Sequence, residues 1–232
     1  MLYLCTQIKT AQISKEVMQI KSFSFNPLRV NTYLLTDELS KETIVIDPGC
    51  QSAEEKQFLS KFIKDNNLII KRLLNTHLHF DHIYGNRFIQ ETYGVGAYAA
   101  KEDMFFLNHY QDLLALFGMP MDEDALPLEG TIKDGDTIKV GCIELHVAAV
   151  PGHSPGSLAF YEPNAGCDFI GDTILEGSIG RTDLHKGNLE ILLNSIRTKI
   201  LTLPPQTVLY SGHGSSTTVE YEKEHNIYLR SL

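Results

Sequence analysis

The chain has 232 residues, 43% of them hydrophobic, and carries a net charge of −9. That is enough apolar material for a sizeable core, and an acidic balance without any block of basic residues excludes a nucleic-acid-binding surface built on clustered Lys and Arg. No apolar run has the length of a membrane span, and the N-terminus lacks a basic stretch followed by an apolar core, so neither a membrane partner nor a signal peptide is expected. Cys5, Cys50, Cys142 and Cys167 are scattered with no Cys-X-X-Cys pair, the usage expected of reduced, partly buried residues in a cytoplasmic protein.

Taken in chain order, the first strand is expected near Met18, with Ile20, Phe23 and Phe25. Residues 1–17 are read either as an upstream extension or as a loosely docked arm. Asn26-Pro27 separates the first strand from Val30–Leu35, and Asp37–Ser40 turns into a third strand over Thr43–Ile46. Asp47 ends that strand and Pro48-Gly49 turns away from it. Ser52 and Glu55 form a capping box, and the helix that follows puts Phe58, Leu59, Phe62 and Ile63 on one face.

Leu68–Leu74 is an apolar run of strand length, and after it comes Thr76-His77-Leu78-His79-Phe80-Asp81-His82. Three imidazoles and a carboxylate so close together are difficult to explain as packing, although a polar loop of solvated histidines is the competing reading. Histidine and Asp are nitrogen and oxygen ligands of zinc and related metals. Residues i and i+2 of an extended loop point the same way. His77 and His79 can then share one ion, while Asp81 and His82 face a neighbouring position. The spacing suggests two adjacent ions.

A helix ending near Tyr93-Gly94 and a short strand over residues 95–99 follow. Residues 101–130 are strongly apolar but broken by Gly118, Pro120 and Pro127. They read either as helices packed on the sheet or as a cap over the pocket. Thr131–Val140 opens a second set of strands. His146 falls inside a strand, and Val150-Pro151-Gly152 delivers His153. Asp168–Gly171 leads to Asp172. Gly180-Arg181-Thr182-Asp183 precedes a helix carrying Leu189, Ile191, Leu192, Leu193, Ile196 and Ile200. Thr207–Tyr210 is a last strand, delivering His213, and a helix spans residues 219–229. His109, His185 and His225 lie outside every motif and are read as solvated or packing residues. Two strand-rich halves, each followed by helix, imply an α/β fold of two sheets packed face to face with helices outside.

The His-X-His-X-Asp-His run after an apolar strand resembles the signature of the metallo-β-lactamase superfamily. Further pieces follow in the order of that family: Asp47 in Ile46-Asp47-Pro48-Gly49, His153 in Pro151-Gly152-His153-Ser154-Pro155-Gly156, Asp172 in Ile170-Gly171-Asp172-Thr173, and His213 in Ser211-Gly212-His213-Gly214. The resemblance implies an αββα four-layer sandwich over residues 18–232 as a single domain, with residues 101–130 the possible cap. It implies one metal site from His77, His79 and His153, a second from Asp81, His82 and His213, and Asp172 bridging them. Asp47 would support the metal histidines by hydrogen bonding, or cap its turn. The cofactors implied are two divalent ions, zinc foremost, with iron or manganese as alternatives. A hydroxide shared by two such ions is a nucleophile at neutral pH. Asp81 could also orient the water or carry a proton, so Asp81 and Asp172 are the catalytic candidates.

Histidine at position 79 differs from the Glu of the flavodiiron branch, and the acidic chain speaks against the nuclease branch. Ile179–Asp183 together with Tyr221-Glu222-X-X-His225-Asn226 looks like the short glyoxalase II-like hydrolases of bacteria, which act on thioesters such as S-lactoylglutathione. Arg181 is the substrate-binding candidate. Full-length glyoxalase II carries a further helical domain that supplies basic residues to glutathione. Here only 19 residues follow His213, so the glutathione half of the substrate stays open. The same fold with one iron serves the persulfide dioxygenases, which have ligands like His77, His153 and Asp172. A lactonase, a β-lactamase and a non-catalytic metal scaffold are the remaining alternatives. A small-molecule substrate is expected, and nothing in the sequence indicates an oligomeric state.

Overall fold

The computed structural model describes residues 18–119, 121 and 123–230; the extension expected over residues 1–17 lies outside them. The first sheet runs in the order β1 (Met18–Phe25), β2 (Val30–Asp37), β3 (Glu42–Ile46), β4 (Ile69–Leu74), β5 (Ala97–Ala99) and β6 (Gly130–Thr131). Its first three strands are antiparallel neighbours, and β3 to β6 pair in parallel. The second half contributes β7 (Thr137–Val140), β8 (Ile143–Ala149), β9 (Leu158–Glu162) and β10 (Cys167–Gly171). A small hairpin of β11 (Ile174–Leu175) and β12 (Ser178–Ile179) follows, and then β13 (Val208–Ser211) and β14 (Thr217–Thr218). The second sheet has the order β14-β13-β10-β9-β8-β7.

Side chains that alternate along these strands supply two cores at once. Tyr33, Leu35, Ile44, Ile46 and Leu74 face Leu145, Val147, Leu158, Phe160 and Phe169 between the sheets. Leu34, Val45 and Leu73 point the other way, onto Leu59 and Ile63 of α1 (Ala53–Asp65) and Ile89 of α3 (Asn86–Tyr93). On the far side, Ala159, Ile170 and Leu209 pack against Leu192 of α6 (Leu189–Ser195) and Val219 of α7 (Val219–His225). Helix, sheet, sheet, helix is the αββα sandwich. Each fully buried Leu or Ile contributes roughly 1.5–3 kcal/mol through removal of its surface from water.

Several local signals act as read. Ser52 and Glu55 close the capping box of α1, and Gly94, left-handed at φ 68°, ends α3. Other expectations are corrected. Strand β4 is not continuously buried: Ile70, Leu73 and Leu74 are buried, while Ile69 and, at a bulge, Lys71 and Arg72 are exposed. Gly130–Thr131 does not open the second set of strands. It pairs in parallel with β5 as the edge of the first sheet, and the second sheet begins at Thr137. Leu189 and Ile191 lie on the solvent side of α6, each 47% exposed.

What the fold positions is a row of loops at the C-terminal ends of strands. Asp47 follows β3, His77 to His82 follow β4, Asp172 follows β10 and His213 follows β13. Parallel pairing of β3 with β4 and of β10 with β13 brings those ends to one rim of the sandwich.

Candidate metal centre

The chain leaves β4 extended and then folds into one helical turn, α2 (Phe80–Ile83), with His79 at its N-cap. The extended part sets His77 and His79 on one side, ring centroids 4.6 Å apart. The helical turn swings Asp81 and His82 back beside them. His153 arrives from the loop after β8, its Nε2 lying 3.2 Å from His77 Nε2 and 2.9 Å from His79 Nδ1. Three imidazole nitrogens thus aim at one point. A second group forms next to it: Asp81 Oδ2 lies 3.4 Å from His213 Nε2 and 3.9 Å from His82 Nε2. Asp172 stands between the two groups. Its Oδ1 is 3.6 Å from His82 Nε2, while its Oδ2 is 3.6 Å from His153 Nε2 and 3.5 Å from His213 Nε2. All seven residues named from the sequence are therefore brought together.

Their outer nitrogens are held from behind. Asp47 Oδ2 meets His82 Nδ1 at 2.9 Å and accepts the Thr76 hydroxyl at 2.6 Å, and that hydroxyl oxygen lies 3.0 Å from His77 Nδ1. Asp47 Oδ1 also accepts the Thr76 backbone N–H at 2.8 Å. His153 Nδ1 donates to the Arg181 carbonyl at 2.8 Å, and His213 Nδ1 to the Leu28 carbonyl at 2.9 Å. A carbonyl only accepts, so both rings carry a proton on Nδ1 and turn Nε2 inward. Asp47 touches the outer edges of the rings, so it supports the cluster rather than facing its centre. It sits at φ 48°, a conformation a non-glycine residue adopts only when its surroundings hold it there.

The electrostatics call for cations. Burial, with neighbouring imidazoles adding to it, pushes the pKa of His77 and His79 well down, so both rings stay neutral. At His82 burial opposes the charge, but Asp172, Asp81 and Asp47 outweigh it and push the pKa up to about 10. Asp81 is likewise buried, yet His82 and His213 pull its pKa far below the usual carboxylate range. His82 Nε2 and Asp172 Oδ1 are buried with no hydrogen-bond partner. Buried polar atoms are ordinarily paired or bind metal. The neutral rings of His77 and His79, the inward Nε2 atoms of His82, His153 and His213, and the orphaned Asp172 Oδ1 are nitrogen and oxygen donors of the kind that bind transition-metal ions, and a bound cation would take the place of the proton that the carboxylates hold on His82.

A cavity of about 530 Å³ opens over the cluster, reaching His79, Asp81, His153, Asp172 and His213. Residues of the 101–130 stretch pack on the metal loop and also line the cavity. Phe106, Tyr110 and Leu114 of α4 (Met104–Asn108) and α5 (Tyr110–Leu116) pack on Leu78, Ile83 and Tyr84. Phe105, Phe106, Leu113, Leu116 and Phe117 also line the cavity. Arg181 stands at the same wall, but its guanidinium is engaged by Asp183 through contacts of 2.7 and 2.8 Å. What Arg181 gives the cluster is its backbone carbonyl.

Two residues escaped the sequence. Asp103 is fully buried and receives the N–H groups of Leu78 and Gly156 and the hydroxyl of Ser154. No motif marks it, and its neighbours read as an apolar stretch. His185, assigned there to solvent or packing, lines the cavity and stacks on Phe105 with centroids 3.5 Å apart. His146 keeps its bland role, exposed beside Glu144 at 3.8 Å, and His225 stacks on Tyr221.

Known proteins match over the same span. Hydroxyacylglutathione hydrolase GloC of Haemophilus influenzae is 33% identical over 215 residues, covering 92% of this chain and 99% of the relative. The mitochondrial persulfide dioxygenase ETHE1 of Bos taurus is 32% identical over 84% of this chain and 69% of its own length. Among solved structures, the BLEG-1 B3 metallo-β-lactamase superposes with a TM-score of 0.83 at 33% identity, covering 91% of this chain and 99% of its own. The di-iron-bound form of TTHA1623 does so at 0.79 and 31% identity, over 90% and 100%. The family description of the metallo-β-lactamase superfamily matches residues 25–213, from the end of β1 to the last histidine of the cluster, and with the αββα sandwich and its rim of ligand-type loops the chain belongs to that superfamily.

Proposed function

We propose that the chain is a dinuclear metal-dependent hydrolase acting on a thioester or related ester. The observation that carries this is the position of Asp172, whose two oxygens face the two groups of imidazoles. His77, His79 and His153 would hold one ion and Asp81, His82 and His213 the other, with Asp172 touching both. Bound there, two divalent ions would supply Lewis acidity and a water acidic enough to attack near neutral pH. Asp81, kept ionised by His82 and His213 and buried at the cavity wall, would orient the attacking water during proton transfer to the leaving group. Phe80 and Phe106, on the same wall, exclude bulk water from that transfer and strengthen the electrostatics there. The likeness to hydroxyacylglutathione hydrolase GloC supports a thioester as the reacting bond.

A second reading has its own support in the 32% identity to a persulfide dioxygenase. The two differ in metal count and in oxygen. Metal analysis of the untagged protein by plasma mass spectrometry, followed by a thioester panel, tests them. Two ions of the zinc type per chain, with thioester turnover abolished by chelation, is the expected result. One iron per chain with oxygen consumed on adding a persulfide would replace the hydrolase with the dioxygenase.

A further inference from the structure

Much of the cavity wall away from the cluster is apolar. Phe80, Phe106, Leu113 and Phe117 face it, and Phe80 and Phe117 lie against each other with centroids 5.3 Å apart. At the mouth, Leu116, Leu28 and Phe117 are 77%, 43% and 41% exposed. Large apolar side chains standing together in solvent around a cavity are the surface an apolar ligand covers.

Away from the cluster, the described residues of that wall offer no free cation for glutathione. Asp81 and Asp172 belong to the cluster, and Asp183 is paired with Arg181. Among the described residues, Arg181 is the one Lys or Arg that lines the cavity, and both sides of its guanidinium fork are taken up by Asp183. Glutathione brings two carboxylates. Enclosing a carboxylate without a cation or several hydrogen-bond donors is costly.

One polar group remains. The His185 ring lies flat on Phe105, at 3.5 Å and an interplanar angle of 9°. Its Nε2 is buried and has no hydrogen-bond partner in the protein. Buried polar atoms are ordinarily paired, and a turn of the ring within its stack would present this nitrogen to a ligand atom in the cavity that His185 lines.

We propose that the cavity takes a thioester whose distal arm is uncharged and largely apolar. That arm lies against Phe80, Phe106 and Phe117, with one of its polar atoms hydrogen-bonded to His185 Nε2. The thioester itself rests on the hydrolase reading above; the preference for a neutral arm does not.

The test uses unreactive thioethers on the metal-loaded protein, followed by titration calorimetry. The probes are S-benzylglutathione, S-benzyl-N-acetylcysteamine, which is neutral and has one amide, and a benzyl thioether of similar length without the amide. The neutral amide compound is expected to bind at least about tenfold more tightly than the glutathione compound, a difference of about 1.4 kcal/mol. His185→Phe keeps the stack on Phe105. It is expected to weaken the amide compound about tenfold and leave the amide-free compound unchanged. Equal or tighter binding of S-benzylglutathione, or binding of none of the three, would overturn the proposal. An equal effect of His185→Phe on both neutral compounds would remove His185 from it. Hydrolysis is read separately. Preferred binding of the neutral thioether without turnover of any thioester defeats the hydrolase and leaves the cavity preference standing. Efficient turnover with preference for glutathione does the reverse.

Discussion

Asp103 accepts the backbone N–H of Gly156 at 2.6 Å across 53 residues of sequence, and so ties the two loops that carry the metal-type histidines. Its other oxygen takes the N–H of Leu78 at 3.0 Å and the hydroxyl of Ser154 at 2.8 Å. Leu78 lies between His77 and His79, and Ser154 follows His153. The carboxylate thereby sets the approach of three imidazoles without touching any of them.

Asp103→Asn would keep the shape but turn an amide NH₂ toward at least one buried donor. An unpaired buried N–H costs about 1–3 kcal/mol. The expected result is a loss of that order in urea unfolding, together with weaker retention of metal under chelator competition. Unchanged metal retention at reduced stability would mean that the carboxylate acts on the fold alone.

Asp47 holds His82 directly at 2.9 Å and His77 through Thr76. Partners of ligating imidazoles typically contribute about 10–100-fold in metal affinity. Asp47→Ala should lower affinity within that range, measured by competition with a chromogenic chelator. Thr76→Val should lower it less, since the His82 contact survives. Equal effects of the two would show that support of His77 dominates.

Gly212 is hemmed in by the cluster. A Cβ there would come within 2.2 Å of Asp172 Oδ1 and 2.6 Å of His82 Cε1. Gly212→Ala must displace one of the two, so metal bound per chain should fall by one ion or more, with the circular dichroism spectrum unchanged. Full loading of the variant would show that the Asp172 side chain has room to move.

Some of this was legible in the sequence because it is local. Ser52 and Glu55 are a cap three residues apart, and the ligands after β4 sit in one short run, so chemistry and spacing are seen together. Asp172 and His213 were identifiable only through their order in the family pattern, since nothing local distinguishes them. Asp103 was not legible at all, and His185 only as a packing residue and not as one that lines the cavity. The role of Asp103 exists only where three separate chain segments meet, and that of His185 depends on the ring of Phe105, distant in sequence. The same holds for the placement of Gly130–Thr131, whose pairing with β5 is set by tertiary contacts and not by its own pattern.

Asp168 gives a test of the core independent of the metal centre. It lies in β10 between Tyr161 of β9 and Leu209 of β13, is only 1% exposed, and its Oδ1 has no hydrogen-bond partner. Burial pushes its pKa up to about 7, from an ordinary value of 3.8. The unfolded chain loses this proton near pH 4 while the folded chain keeps it until about pH 7. Through that window the folded state binds more protons, so stability falls as pH rises, by about 4 kcal/mol in the limit. Below the window the effect is absent, and above it the loss is complete. Asp168→Asn removes the titration and keeps the shape. Unfolding free energies of the two proteins, both in chelator, should diverge in favour of the variant from pH 5 to pH 8, other groups cancelling in the difference. A difference that stays flat or shrinks over that range would mean Asp168 is ionised in the folded protein and stabilised by a partner.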